Sequence, residues 1–128
     1  MNVFNPGDHG STFGGNPLAA AVGMAALDVI VDEQLSERAA ELGAYFISRL
    51  CQIPSPHIQE VRGRGLLIGV ELKPAAGGAR RFCKALMQTG ILAKETREDI
   101  IRFAPPLVIT RSQLDWALER IERVLMAD

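Results

Sequence analysis

The spacing of apolar residues predicts four helices. The first is expected over residues 17–31, because Asn16 can cap it and proline suits the first helical position. The second is expected over residues 32–51, with Asp32 as its cap, since apolar residues recur there every three or four positions and charged residues occupy the other side. Two further helices are expected over Ala79–Gln88 and after Thr110, which begins a capping box with Gln113.

Shorter apolar runs predict four strands. The first two, residues 58–61 and 66–72, are expected to flank a tight turn or bulge at residues 62–65, Arg-Gly-Arg-Gly. The other two are expected at residues 91–93 and 100–103. Together with the helices they predict an α+β fold, in which helices pack on one face of a small, mostly antiparallel sheet.

The composition is typical of one soluble globular domain. The chain has 128 residues, 48% of them hydrophobic, and a formal net charge of -1. No basic excess points to nucleic acid or a membrane surface, and the apolar stretches end well before the ~20 residues that span a bilayer. The first six residues resemble no signal peptide. With only Cys51 and Cys83, we expect free thiols and a cytoplasmic protein.

A glycine-rich loop before the first helix is a candidate anion site. Residues 9–17, HGSTFGGNP, combine three glycines, the hydroxyls of Ser11 and Thr12, and a helix N-terminus. Exposed amide groups at a helix start suit a phosphate. The alternative is a flexible glycine loop that ends at the Asn16 cap.

Arginines are the other candidates for binding. Arg102 lies in an apolar, strand-like stretch, where a buried guanidinium would need an anion such as a carboxylate. The alternative is that strand alternation turns it toward water. Arg62 and Arg64 could likewise hold a carboxylate or a subunit contact, or lie in a solvated turn. His9 and His57 are isolated, so no metal site is expected.

Taken together, several strings resemble the class III pyridoxal-phosphate aminotransferases. They are residues 6–18, PGDHGSTFGGNPL; residues 61–69, VRGRGLLIG; and residues 92–94, LAK, followed by residues 99–109, DIIRFAPPLVI. Residues 92–94 and 99–109 are most similar to the ornithine aminotransferases of that family, and the acetylornithine enzymes are the alternative. The resemblance covers nearly the whole chain.

The resemblance implies a fold and residue roles. Residues 1–31 would be the loop and helix that connect to a large domain, and residues 32–128 the small C-terminal domain of a fold-type I aminotransferase. The pair matching Ser11 and Thr12 helps bind the cofactor phosphate of the neighbouring subunit, and the arginine matching Arg102 binds a substrate carboxylate. The implied reaction transfers the δ-amino group of ornithine to 2-oxoglutarate, giving glutamate semialdehyde and glutamate.

The chain departs from the family in its lysines. The family needs a lysine that forms a Schiff base with the cofactor, and that lysine precedes the segment matching residues 9–17. Lys73, Lys84 and Lys94 fall in no matching context. We therefore assign no catalytic residue and expect no covalently bound cofactor.

Several accounts of the chain follow from this departure. It could be a truncated or split ornithine aminotransferase that needs a separate N-terminal large domain. It could instead be a non-enzymatic remnant that binds a partner, or an anion-binding module. In each case we expect self-association, because the first helix would expose an apolar face.

Overall fold

The computed structural model describes Asn5 and residues 7–127. The prediction that residues 1–6 carry no signal peptide therefore lies, apart from Asn5, outside the described residues. The chain divides into two compact units, with the boundary after Gln34. The assignment of residues 1–31 and 32–128 to a connecting segment and a small domain stays a prediction.

The first unit consists of the glycine-rich loop and helix α1, Pro17–Asp32. Asn16 caps this helix as predicted, since its side-chain oxygen accepts hydrogen bonds from the amides of Leu18 and Ala19 at 2.9 and 3.2 Å. None of the residues of α1 is buried.

The second helix begins later than the sequence predicts. Helix α2 spans Leu35–Cys51, whereas Asp32, the expected cap, is the last residue of α1. The break falls at Gln34, whose φ of 49° lies in the left-handed region, so helical geometry cannot continue through it. Asp32 as the cap of α2 was therefore wrong.

The sheet has four strands, which are β1 Ile58–Arg64, β2 Leu67–Leu72, β3 Lys94–Thr96 and β4 Ile100–Phe103. They lie in the order β1-β2-β4-β3, and every pairing is antiparallel. The bounds of the predicted turn or bulge, residues 62–65, are wrong, because strand pairing continues through Arg64 and the chain turns at Gly65, whose φ is 55°. A register shift between Ile58 and Glu60 marks a bulge in the first strand.

The third strand lies three residues after its predicted position. Residues 91–93 do not pair in the sheet, because the amide of Ile91 donates to the carbonyl of Leu86 at 3.0 Å and completes the end of the preceding helix. That helix, α3, spans Ala79–Gln88 as predicted. Gly90, with a φ of 87°, follows it and fits the predicted C-terminal stop.

Helices α2, α3 and α4 cover one face of the sheet, as the sequence predicts. Helix α4 spans Arg111–Leu125 and begins with the predicted capping box of Thr110 and Gln113. None of the described helices is both long and apolar enough to cross a membrane. The largest fully buried side chains come from the helices and the central strands: Phe46, Leu50, Ile68, Val70, Leu72, Leu86, Ile101, Leu114, Ile121 and Leu125.

Candidate functional site

Arg102 lies on the sheet face opposite the helices. Its neighbours in β4, Ile101 and Phe103, are buried in the core, so alternation turns Arg102 to the open face, where it is exposed. Among the described residues no acidic group pairs with it within 4.0 Å, and no hydrogen bond engages its guanidinium. The side chain therefore needs no partner for stability, and its donors are available to a carboxylate.

Arg62 lies on the same face but is already paired. Its guanidinium donates to a Glu60 carboxylate oxygen at 2.7 Å and also to Glu71. The hydrogen bond that Arg62 donates to the Glu71 carboxylate is the main reason that the pKa of Arg62 is raised. Because two carboxylates hold Arg62, it is a poor candidate for binding a further anion. Arg64, the last residue of β1, is exposed.

Lys94 is a residue that the sequence prediction missed. It lies directly across from Arg102, because β3 pairs antiparallel with β4 at that position. On the other side of Arg102 the partner in β2 is Gly69. The sequence pattern predicted the third strand at residues 91–93. It therefore did not predict the strand pairing that brings Lys94 next to Arg102.

Ser11 and Thr12 are exposed in the loop before α1. The loop turns tightly there, since the amide of Gly14 donates to the Ser11 carbonyl at 3.2 Å. Within the described part of the chain neither hydroxyl makes a hydrogen bond. These hydroxyls and the loop amides are suitable donors to a phosphate.

The helix start itself contributes less to this candidate site than the sequence suggests. The amides of Leu18 and Ala19, which would face an anion at the N-terminus of α1, already donate to the side chain of Asn16. A phosphate would therefore depend on the loop and its hydroxyls unless Asn16 moved.

The histidines and cysteines form no reactive cluster among the residues described. No group of three or more metal-binding side chains occurs there. His57 is half-buried, with its ring tilted against Phe82 at 5.3 Å between centroids. Cys51 and Cys83 are free, as expected, and burial raises the pKa of the Cys83 thiol, which makes it a weak nucleophile.

An apolar cavity of about 700 Å³ opens between α2, the segment after β4, and α4. Phe46 and Phe103 meet edge-on in its wall, with ring centroids 6.0 Å apart. The polar side chains in its lining belong to Ser112 and Gln113, and Gln113 is engaged in the capping box. With no ionisable group in its lining, the cavity offers little for catalysis.

The chain belongs to the class III aminotransferases. The family described as "Aminotransferase class-III" matches residues 1–125, and enzymes of this class use pyridoxal phosphate. The ornithine aminotransferase of Geobacillus sp. (strain WCH70) is 62% identical over 124 residues, and that of Bacillus subtilis (strain 168) is 59% identical over 125. These matches cover 97% and 98% of the chain.

Solved structures agree with this assignment. Ornithine δ-aminotransferase from Plasmodium falciparum matches with a TM-score of 0.87 at 40% identity, over 98% of the chain and 33% of its own length. Acetylornithine aminotransferase from Elizabethkingia anophelis matches with a TM-score of 0.84 at 48% identity, over 98% of the chain and 32% of its own. The fold is therefore an α+β piece of a fold-type I aminotransferase, as predicted.

The chain spans a little under a third of the length of these relatives, 30% for each of the two bacterial sequences. Its lysines are spread over the second unit: Lys73 follows β2, Lys84 lies in α3, and Lys94 begins β3. The roles of Ser11, Thr12 and Arg102 stay predictions.

Proposed function

We propose that the chain is the C-terminal part of an ornithine aminotransferase. In the complete enzyme, the δ-amino group of ornithine would pass to 2-oxoglutarate, giving glutamate semialdehyde and glutamate. Identities of 62% and 59% to ornithine aminotransferases support this choice within the family. The observation that carries the proposal is Arg102, whose guanidinium is unpaired among the described residues on the open sheet face.

Arg102 would bind the carboxylate of the amino-acid or 2-oxo-acid substrate. A planar guanidinium can donate two parallel hydrogen bonds to one carboxylate, which fixes both position and orientation. Ser11 and Thr12 would donate to the cofactor phosphate of the neighbouring subunit. Pyridoxal phosphate, when bound, supplies the electron sink for the transfer.

The isolated chain would be inactive, because none of its lysines falls in the family's cofactor-binding context. Pyridoxal phosphate added to the purified chain should give no stable visible absorbance band that borohydride fixes. A stable band that disappears when Lys73, Lys84 or Lys94 is substituted would contradict this part of the proposal.

Complementation tests the proposal directly. The chain would be mixed with a separately expressed N-terminal part, taken from the Bacillus subtilis relative, and glutamate semialdehyde would be measured. Arg102→Gln should lower kcat/KM by about 10- to 100-fold, because a charge-assisted bidentate contact is lost. Arg123→Gln, which removes a guanidinium from α4, is the matched control and should have no effect. Equal activity of the two variants would exclude Arg102 as the carboxylate ligand.

Acetylornithine is the alternative substrate. It is favoured by the 48% identity to the Elizabethkingia acetylornithine aminotransferase, which exceeds the 40% to the Plasmodium ornithine enzyme. The same complemented enzyme, assayed with both amines at equal concentration, discriminates the two. Ornithine should be preferred, and a preference for acetylornithine would transfer the assignment to that branch.

We also propose that the protein forms a homo-oligomer through α1. Leu27 and Val31 lie one turn apart on α1 and are 63% and 72% exposed, and covering the face that they share would remove apolar surface from water. Light scattering should report a dimer or larger species, and a clean monomer at high concentration would contradict the proposal.

The exposed apolar residues of α1 also support the alternative account, in which the chain is a non-enzymatic interaction module. A cytoplasmic location, supported by the two free thiols, completes the proposal.

A further inference from the structure

One row of residues crosses all four strands on the open face of the sheet. Arg62 in β1 pairs with Gly69 in β2, Gly69 with Arg102 in β4, and Arg102 with Lys94 in β3. Directly paired residues on antiparallel strands point to the same face. The row therefore contains three cationic side chains, those of Arg62, Arg102 and Lys94. Gly69, which has no side chain, lies between Arg62 and Arg102.

Burial independently supports the direction of Lys94. The next residue, Glu95, is half-buried and turns to the helices, where its carboxylate lies 3.7 Å from Arg80 of α3. A hydrogen bond from its own backbone and the nearby cations lower the pKa of Glu95. Because side chains alternate along a strand, Lys94 points to the other face, beside Arg102.

The charges along the row are not balanced evenly. Arg62 is neutralised by Glu60 and Glu71. Arg102 and Lys94 have no ion pair within 4.0 Å among the described residues. Like charges that face each other on neighbouring strands destabilise a sheet. Such a pair is a local conflict of the kind that is found where a ligand is bound.

We propose that Lys94 is the second cation of the carboxylate site at Arg102. The substrate carboxylate would lie over β4, held in orientation by the guanidinium and attracted by the ammonium group of Lys94. Gly69 has no side chain beside Arg102, although the Ile100 side chain lies close to it, 3.4 Å from where a Cβ would be. The two carboxylates keep Arg62 out of the site. This proposal rests on the role given to Arg102 above.

The two cations would contribute differently. Arg102 offers a planar fork that fixes the angle of the carboxylate, whereas Lys94 offers a compact charge on a flexible stem. Lys94 should thus strengthen binding without setting orientation. Its loss should weaken affinity, and arginine in its place should preserve affinity because the charge is retained.

The test is a titration of the 128-residue chain with 2-oxoglutarate, followed by the NMR shifts of the backbone amides of β2 and β4. Lys94→Gln should raise the Kd about three- to five-fold, in keeping with one exposed ionic contact. Lys94→Arg should remain within about two-fold of the parent. Lys84→Gln, which removes the same charge from α3 on the opposite side of the sheet, is the matched control and should leave the Kd unchanged.

Thermal unfolding of the same variants, without ligand, gives the second readout. Lys94→Gln should raise the Tm by about 1–4 °C, because it removes the facing like charge. Weaker binding together with higher stability is the combination expected of a ligand-binding residue. A purely structural lysine would lower the Tm when removed, and that result would overturn the proposal.

The remaining outcomes separate this proposal from the one on which it rests. If Lys94→Gln binds like the parent while Arg102→Gln loses binding, Lys94 is not part of the site and the role of Arg102 stands. If Arg102→Gln also binds like the parent, the proposed function of Arg102 fails too. A parent chain with no saturable shift up to about 50 mM 2-oxoglutarate, a concentration that would detect even very weak binding, overturns the two-cation site.

Discussion

Helices α1 and α2 follow each other directly and have nearly the same length, 16 and 17 residues, but they use their apolar residues differently. In α2 the apolar residues form one stripe, and five of its residues are buried. In α1 they occur around the helix, and none is buried. Leu27 is 63% exposed, whereas Phe46 is 2% exposed.

This contrast indicates where the stability of the chain resides. A stripe of apolar residues buries itself against the sheet of its own unit, so the second unit supplies its own core. A helix that is apolar on all sides has no such face, and it is typical of a segment that other protein surfaces cover. Matched mutations should therefore lower the free energy of unfolding much more in the second unit than in the first.

The largest expected difference comes from truncating one apolar side chain in each helix. Phe46→Ala should lower the free energy of unfolding by about 3–5 kcal/mol, because it leaves a cavity in the core. At concentrations low enough that the chain is monomeric, Leu27→Ala should change it by no more than about 0.5 kcal/mol. Urea unfolding followed by the fluorescence of Trp116, the only tryptophan, reports on the second unit. Equal losses from the two variants would mean that α1 belongs to the same cooperative core.

A smaller difference is expected for one helical glycine in each unit. A Cβ at Gly43 of α2 would lie 2.1 Å from the carbonyl oxygen of Gly65, so the turn after β1 would have to move. Gly43→Ala should cost about 1–3 kcal/mol in urea unfolding.

Gly23 of α1 is the matched control. A Cβ there meets nothing within 4 Å in the described structure. Since alanine favours a helix over glycine by up to about 1 kcal/mol, Gly23→Ala should raise the helical circular dichroism signal and destabilise nothing. Destabilisation by Gly23→Ala would indicate that a tightly packed partner covers α1.

The smallest difference is expected from the helix caps. Thr110→Ala removes the capping box of α4, which carries five buried residues, and should shift the Trp116 unfolding transition by about 1 kcal/mol. Asn16→Ala removes the cap of α1 and should lower only the helical signal. A shift of the Trp116 transition by Asn16→Ala would contradict the expectation that the core of the second unit alone sets that transition.

The sequence predicts the fold best where local signals agree. The cap at Asn16, the capping box at Thr110 and the glycine after α3 each mark a helix end that the structure confirms. Two errors lie just beyond a helix end. The amide of Ile91 donates to the carbonyl of Leu86 at the end of α3, so the third strand starts only at Lys94. The left-handed φ of Gln34 delays the start of α2.

The candidate site follows the same division. The alternation of side chains along β4 allowed the sequence analysis to include an outward-facing Arg102 as one of two alternatives, since the two neighbours of Arg102 are apolar. The position of Lys94 opposite it depends on the register between two strands, which the sequence alone did not supply. The pairing of Arg62 with Glu71 depends on register in the same way, because the two residues lie on different strands.

The bulge near the start of β1 has a consequence for handling the protein at high concentration. This strand is one of the two outer edges of the sheet, and an edge offers unpaired backbone groups to another chain. The register shift between Ile58 and Glu60 bends that edge. The exposed charges of Glu60, Arg62 and Arg64 further oppose a second strand. This edge is thus expected to resist edge-to-edge pairing with a strand of another chain, which is a common route to aggregation.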